Sequence, residues 1–185
     1  HDMAEHNSLK EISNHIVDMV KDLDLEKGIS VFGYSMGGLI AHEVLKELEK
    51  SNHNCKIILV DCLPNKTQLP DINNLYPVEE VSEYLEQQVE SFYGVVSTEE
   101  LKVYKERLEK NIRMFDLHVT TGKVVAEVTS IEAIGDQTKG RMKAWEEFLE
   151  SENQIVEIEA THYKVLHEEN LQELRNILLG KVATV

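Results

Sequence analysis

Residues Ile29 to Gly38 read I-S-V-F-G-Y-S-M-G-G, and this run constrains the chain more than any other. A short apolar stretch with Ile29, Val31 and Phe32 leads into Gly33-Tyr34-Ser35-Met36-Gly37, and a helical pattern follows at once. G-x-S-x-G between a strand and a helix is the context of a nucleophile elbow, a turn so sharp that its serine is held in a strained backbone conformation with the hydroxyl clear of the sheet. The tightness predicts that a Cβ at Gly33 or Gly37 would collide with the neighbouring strand or helix. The helix behind Ser35 presents free N–H groups and a positive dipole end to any negative charge that develops there.

The rest of the chain reads as alternating helices and strands. Ser8 to Leu23 carries Leu9, Ile12, Ile16, Met19, Val20 and Leu23 at helical spacing, with Ser8 and Glu11 placed as a capping box. After the elbow, a helix from Met36 to about Lys50 carries Leu39, Ile40, Val44, Leu45 and Leu48. Lys56 to Asp61 is then a short apolar run suited to a buried parallel strand. Helix, strand, helix, strand is an α/β pattern. It is interrupted by a loop at 62–76 and by two helical stretches, Val78–Tyr93 and Thr98–Thr120. Two successive helices between strands exceed a βαβ unit, so residues 64–120 are expected to be an insertion of the kind that acts as a lid. The alternation resumes with a strand at Lys123–Ile134 carrying Val124, Val125, Val128 and Ile131, a short helix at Met142–Leu149, a strand at Gln154–Glu159 and a closing helix at Glu168–Leu179.

Composition limits what such a chain can contact. Its 185 residues suit one domain, and 34 acidic against 19 basic residues give a net charge of −15, which argues against nucleic acid or anionic membrane as partners. No apolar run is long enough to span a bilayer. The polar N-terminus lacks the regions of a signal peptide, and the two cysteines suggest no disulfide framework, so a cytoplasmic location is expected.

A serine hydroxyl needs a base, and the base needs an orienting acid. Nucleophile-elbow enzymes use the chain order Ser, Asp or Glu, His, each at the C-terminal end of a strand. His162 is the best-placed base, just past the last expected strand. His167 is its only competitor and falls at the start of the closing helix. Asp61 and Asp136 both follow strands, and spacing alone does not choose between them. The backbone N–H of Met36, directly after Ser35, is the expected oxyanion donor. A second donor would come from a loop after an earlier strand. Only one expected strand precedes the elbow helix, so the first strands of the fold are expected to be missing from this sequence.

These landmarks together resemble the type I thioesterase domain of a nonribosomal peptide synthetase or a hybrid peptide–polyketide synthase, within the α/β-hydrolase superfamily. The residues that carry the resemblance are Phe32–Gly38, Ala41–Val44, Ile57–Asp61, the helical insertion, A-W-E-E at Ala144–Glu147 and T-H-Y at Thr161–Tyr163. The resemblance implies a mostly parallel sheet flanked by helices, in one domain over 1–185 with its lid at about 64–120. It places the catalytic acid at Asp61, completing a triad with Ser35 and His162. It implies release of a peptidyl or acyl chain from the phosphopantetheine thioester of a carrier-protein domain, through an acyl-enzyme on Ser35, by hydrolysis or macrocyclisation. The chain then requires no cofactor or metal of its own, and its partners are the carrier domain and the peptidyl thioester. The competing readings are a free-standing type II editing thioesterase, a generic serine esterase and a non-catalytic binding domain.

Overall fold

The computed structural model describes residues 6–21, 23, 28–51, 54–66, 97–135 and 139–179. The chain divides into two compact units, Leu9–Pro64 with Thr120–Val185 and His1–Ser8 with Asn65–Val119.

The larger unit is built on four parallel strands in the order β1-β2-β3-β4: β1 Ile29–Tyr34, β2 Cys55–Val60, β3 Glu127–Ala133 and β4 Asn153–Ile158. Parallel neighbours cannot be joined by a tight hairpin and need crossovers. The first crossover is helix α2, Met36–Glu49. Its buried side, with Leu39, Ala41, Val44, Leu45 and Leu48, packs on β1 and β2. Helix α1, Leu9–Val20, packs on α2. Ser13 is fully buried in α1, and its hydroxyl lies 2.8 Å from the Leu9 carbonyl and 3.3 Å from the Ile40 carbonyl on α2. The α1 face is shorter than its periodicity suggested. Met19 and Leu23 are exposed, because the helix ends at Val20 and leaves the last turn of the apolar stripe unpacked.

Strand residues alternate between faces. Val60, Ile131, Ala133 and Ile158 turn away from α2 and form a second core with Val165, Leu174 and Ile177. Leu174 and Ile177 belong to the closing helix α4, Leu171–Leu178, which follows a 3-10 turn at Glu168–Asn170. Among the described residues, that cover stops short of the amino ends of the strands. Phe32 is 46% exposed, and Lys56 and Glu127, adjacent in register, form an ion pair of 2.6 Å at the surface. A cavity of about 520 Å³ opens there, lined by Thr129, Gln154, Val156 and Leu179.

The strand expected at 123–134 is shorter, Glu127–Ala133. Val124 makes only an isolated bridge to Leu149, and Val125 is exposed. The short helix at 141–148 is 3-10 in form and buries Met142 and Trp145.

Of the smaller unit, the described part is chiefly helix α3, Thr98–Leu117. It starts at a capping box: the Glu100 N–H donates to the Ser97 hydroxyl and the Ser97 N–H donates to the Glu100 carboxylate, at 3.3 and 3.0 Å. The Asn65 side-chain amide donates to the Phe115 carbonyl at 2.8 Å near its end. The helix expected at Val78–Tyr93 lies outside the described residues. No described helix is long and apolar enough to cross a membrane.

Candidate active site

The register of β1 against β2 brings the first two candidates together. Tyr34 pairs with Val60, so the residues that follow, Ser35 and Asp61, leave the sheet at the same level. Each is still tied to the next strand: the Ser35 N–H donates to the Val60 carbonyl at 3.0 Å, and the Asp61 N–H to the Ile131 carbonyl at 2.8 Å. Both have left-handed backbone conformations, φ 52° at Ser35 and φ 42° at Asp61. For non-glycine residues such strain costs about 1–3 kcal/mol and persists only where the surroundings enforce it.

Two glycines enforce it at the elbow. A Cβ on Gly33 would fall on the Gly37 carbonyl oxygen and come within 2.6 Å of the Gly38 Cα. A Cβ on Gly38 would strike the Cys62 thiol and come within 2.8 Å of the Cys62 Cβ. The expectation for Gly33 therefore holds, but Gly37 needs correction. A Cβ there meets nothing within 4 Å, because the helix turns that position outward and brings Gly38 down onto the strand end.

His162 arrives from the loop after β4 and is 7% exposed. Its Nδ1 lies 2.6 Å from Asp61 Oδ2, and its Nε2 lies 3.1 Å from Ser35 Oγ. An ionised carboxylate only accepts hydrogen bonds. The Nδ1 proton is therefore donated to Asp61, which leaves the Nε2 lone pair to accept the Ser35 hydroxyl. The loop is held from β1: the Tyr34 hydroxyl donates to the His162 carbonyl at 2.7 Å, and the two rings stack with centroids 5.1 Å apart. Tyr163 meets the imidazole edge-on at 5.2 Å. His167 stands apart, as the residue before the 3-10 turn at Glu168. Asp136 lies outside the described residues. Met36 is the first residue of α2, so its N–H is among those with no acceptor inside the helix.

Asp61 is 3% exposed. Burial alone would raise its pKa. The His162 hydrogen bond, the Ala133 N–H and the nearby Arg141 charge outweigh that and hold the carboxyl below its ordinary value. The Ala133 N–H reaches Oδ1 at 3.1 Å, and Arg141 Nη2 reaches the same oxygen at 2.8 Å. The next residue, Cys62, is buried, its carbonyl accepts from the Trp145 indole N–H at 2.9 Å, and burial pushes its thiol pKa up. Tyr34, Arg141 and Trp145 were not singled out as site residues in the sequence. Glu132 was also unmarked, although a carboxylate inside the strand Ser130-Ile131-Glu132-Ala133 is a signal, since buried charges require partners.

Chemically, the arrangement is a serine hydroxyl aimed at an imidazole whose far nitrogen is fixed by a buried anion. Such a chain can withdraw the hydroxyl proton during attack and return it to a leaving group.

The sequence matches the Thioesterase domain family over residues 1–181. No curated protein matches it. Among solved structures it is similar to SrfTE, the thioesterase domain for cyclisation of the lipopeptide antibiotic surfactin. The TM-score is 0.72 at 23% identity, over 92% of this chain and 74% of that one. It is similar to the type II thioesterase BorB of the borrelidin biosynthetic cluster, with TM-score 0.70 and 16% identity over 95% and 73%. It is also similar to RedJ, the thioesterase of the prodiginine pathway in Streptomyces coelicolor, with TM-score 0.69 and 15% identity over 96% and 72%. The fold is that of the α/β-hydrolases. With its sequence matched almost end to end, the chain belongs to the thioesterase domain family.

Proposed function

We propose that this thioesterase domain releases a peptidyl or acyl chain from the phosphopantetheine thioester of a carrier protein, with Ser35 as nucleophile, His162 as general base and Asp61 as the orienting acid. The observation that carries the reading is the unbroken hydrogen-bond chain from Ser35 through His162 to Asp61. Ser35 Oγ attacks the thioester carbonyl while His162 Nε2 takes its proton. The oxyanion is met by the Met36 N–H at the start of α2. Collapse of the tetrahedral intermediate breaks the C–S bond, and His162 returns the proton to the departing thiolate. Water, or an amine or hydroxyl of the acyl chain itself, then attacks the Ser35 ester with His162 again as base. The products are a linear acid or a ring. Side chains supply every proton transfer, so the chain brings no cofactor, and the phosphopantetheine arrives with the carrier. Residues 64–120 are the lid of this reading, and the compartment is the cytoplasm, where carrier-borne thioesters are made.

SrfTE is described as cyclising a lipopeptide and BorB as a type II thioesterase, so likeness of fold favours neither release at the end of an assembly line nor editing. Intact-protein mass spectrometry with a peptidyl pantetheine thioester tests the mechanism. The expected result is a mass increase on the protein that Ser35→Ala abolishes. The released product separates ring from linear acid by one water, and preference for short acyl groups over the peptide would mark an editing enzyme. An adduct that survives in Ser35→Ala overturns the nucleophile.

A further inference from the structure

Beside the Ser35–His162–Asp61 chain lies a second buried carboxylate that the reaction as written does not use. Glu132 follows Ile131 on β3 and is fully buried. Its Oε1 accepts the Arg141 N–H at 2.6 Å and its Oε2 accepts the Gly140 N–H at 2.9 Å, so one carboxylate clamps the start of the 3-10 helix 141–148. The Arg141 side chain then turns back towards the strand ends and is 20% exposed. Its Nε lies 3.9 Å from Glu132 Oε1, and its Nη2 donates to Asp61 Oδ1 at 2.8 Å and to the Ala133 carbonyl at 3.4 Å. Asp61 Oδ1 is therefore filled from the Arg141 and Ala133 side, and Oδ2 is left to His162. Both contacts run through the one nitrogen Nη2, while Nε is buried without a hydrogen-bond partner among the described residues; the rigid guanidinium plane sets where Nη2 sits, whereas an ammonium on a flexible stem is not held there.

Charge sharpens the point. Asp61 and Glu132 are two carboxylates, and Arg141 sets a positive charge against both, while Lys139, paired with Glu157, also feels Glu132. Without Arg141, both carboxylates would favour a proton on His162, and an imidazolium cannot accept the Ser35 proton. The described groups that face this cluster are Tyr34 and Ser35 at the end of β1, Cys62 after β2, Glu132 on β3, Lys139 ahead of the 3-10 helix with its partner Glu157 on β4, His162 and Tyr163 after β4, and Arg141 itself.

We propose that Arg141, braced by Glu132, is a positioning residue that orients Asp61 towards His162 and sets the pH above which the Ser35–His162 pair reacts. This rests on the assignment of Ser35, His162 and Asp61 above. The test is the second-order rate of Ser35 labelling by a fluorophosphonate, measured against pH on the full protein, the labelled residue being located by peptide mass spectrometry. In Arg141→Met the plateau rate should fall about 10- to 100-fold and the acid limb should move up by about one pH unit, the displacement expected when a neighbouring opposite charge is lost. Arg141→Lys keeps the charge but not the rigid plane. Its acid limb should stay near that of the unsubstituted protein, while its plateau falls several-fold. If Arg141→Met does not fold, Arg141→Lys carries the test alone, and a plateau equal to the unsubstituted protein's overturns the proposal. A folded Arg141→Met whose acid limb does not move also overturns it, since a role in packing alone lowers the plateau without moving the limb. If Ser35 of the unsubstituted protein is not labelled, the underlying assignment fails as well. Labelling of Ser35 with superimposable pH profiles rejects the role of Arg141 and leaves that assignment standing.

Discussion

The carboxyl ends of the strands and the half-open face near their amino ends are made from the same four strands under opposite rules. At the carboxyl ends, Ser35 and Asp61 bend into left-handed conformations, Asp61 and His162 are buried in mutual contact, and Glu132 is buried against the Gly140 and Arg141 N–H groups. On the open face, Lys56 and Glu127 meet in solvent and Phe32 stands 46% exposed. Polarity taken out of water must be matched partner for partner, because an unpaired buried charge costs several kcal/mol. Polarity left in water asks for almost nothing. The cavity of about 520 Å³ is on the undemanding face, and Ser35, Asp61 and His162 do not line it.

Substitutions that probe the two regions should divide accordingly. The largest effect belongs to Asp61→Asn, whose amide would donate to His162 Nδ1 and leave a proton on Nε2 facing Ser35. Acylation rates should fall by about 10³–10⁴-fold with the fold retained. A loss under tenfold would place the acid elsewhere, with Asp136 the residue to test next. Gly33→Ala comes second, since its methyl would meet backbone atoms of Gly37 and Gly38 that cannot move aside. It should lower unfolding stability by about 2–4 kcal/mol in denaturant titrations, whereas Gly37→Ala should stay within about 1 kcal/mol. Equal costs would show that the elbow tolerates rearrangement. A smaller effect appears in acid. The Asp61 carboxyl is held below its ordinary value of 3.8, so its contribution to stability is full above that pH and is lost as the pH falls through the depressed value. The stability gap between the unsubstituted protein and Asp61→Asn should shrink below that pH, and a constant gap would contradict the depressed value. Least of all, Lys56→Ala should change stability by no more than about 0.5 kcal/mol, given the exposure of its ion pair.

Much of this was readable before any coordinates. Among the described residues, alternating apolar and helical periods located the strands and helices to within a few residues; the elbow glycines with Ser35 and His162 pointed to the site, while the choice of Asp61 over Asp136 came from the family resemblance. What periodicity does not encode is register. Asp61 lies beside Ser35 because Tyr34 pairs with Val60, a long-range fact with no local trace. The choice between Gly37 and Gly38 as the crowded position depended on where the helix turned relative to Cys62. Arg141 was invisible for a similar reason. An arginine before a short helix looks like a solvated residue until the strand order places Glu132 and Asp61 on either side of it. Met19 and Leu23 fit the apolar stripe of α1 and still face solvent, since a stripe records what could be covered and not what covers it.

The backbone at Ser35 also has a consequence for how the protein can change over time. A glycine would occupy φ 52° without strain, so exchanging Ser35, the nucleophile of the proposed mechanism, for glycine would relieve about 1–3 kcal/mol and, on that mechanism, end the chemistry. Stability and reactivity thus compete at a single codon. Selection for thermal robustness alone would erode this site, and a serine persists there only while something rewards what its hydroxyl does.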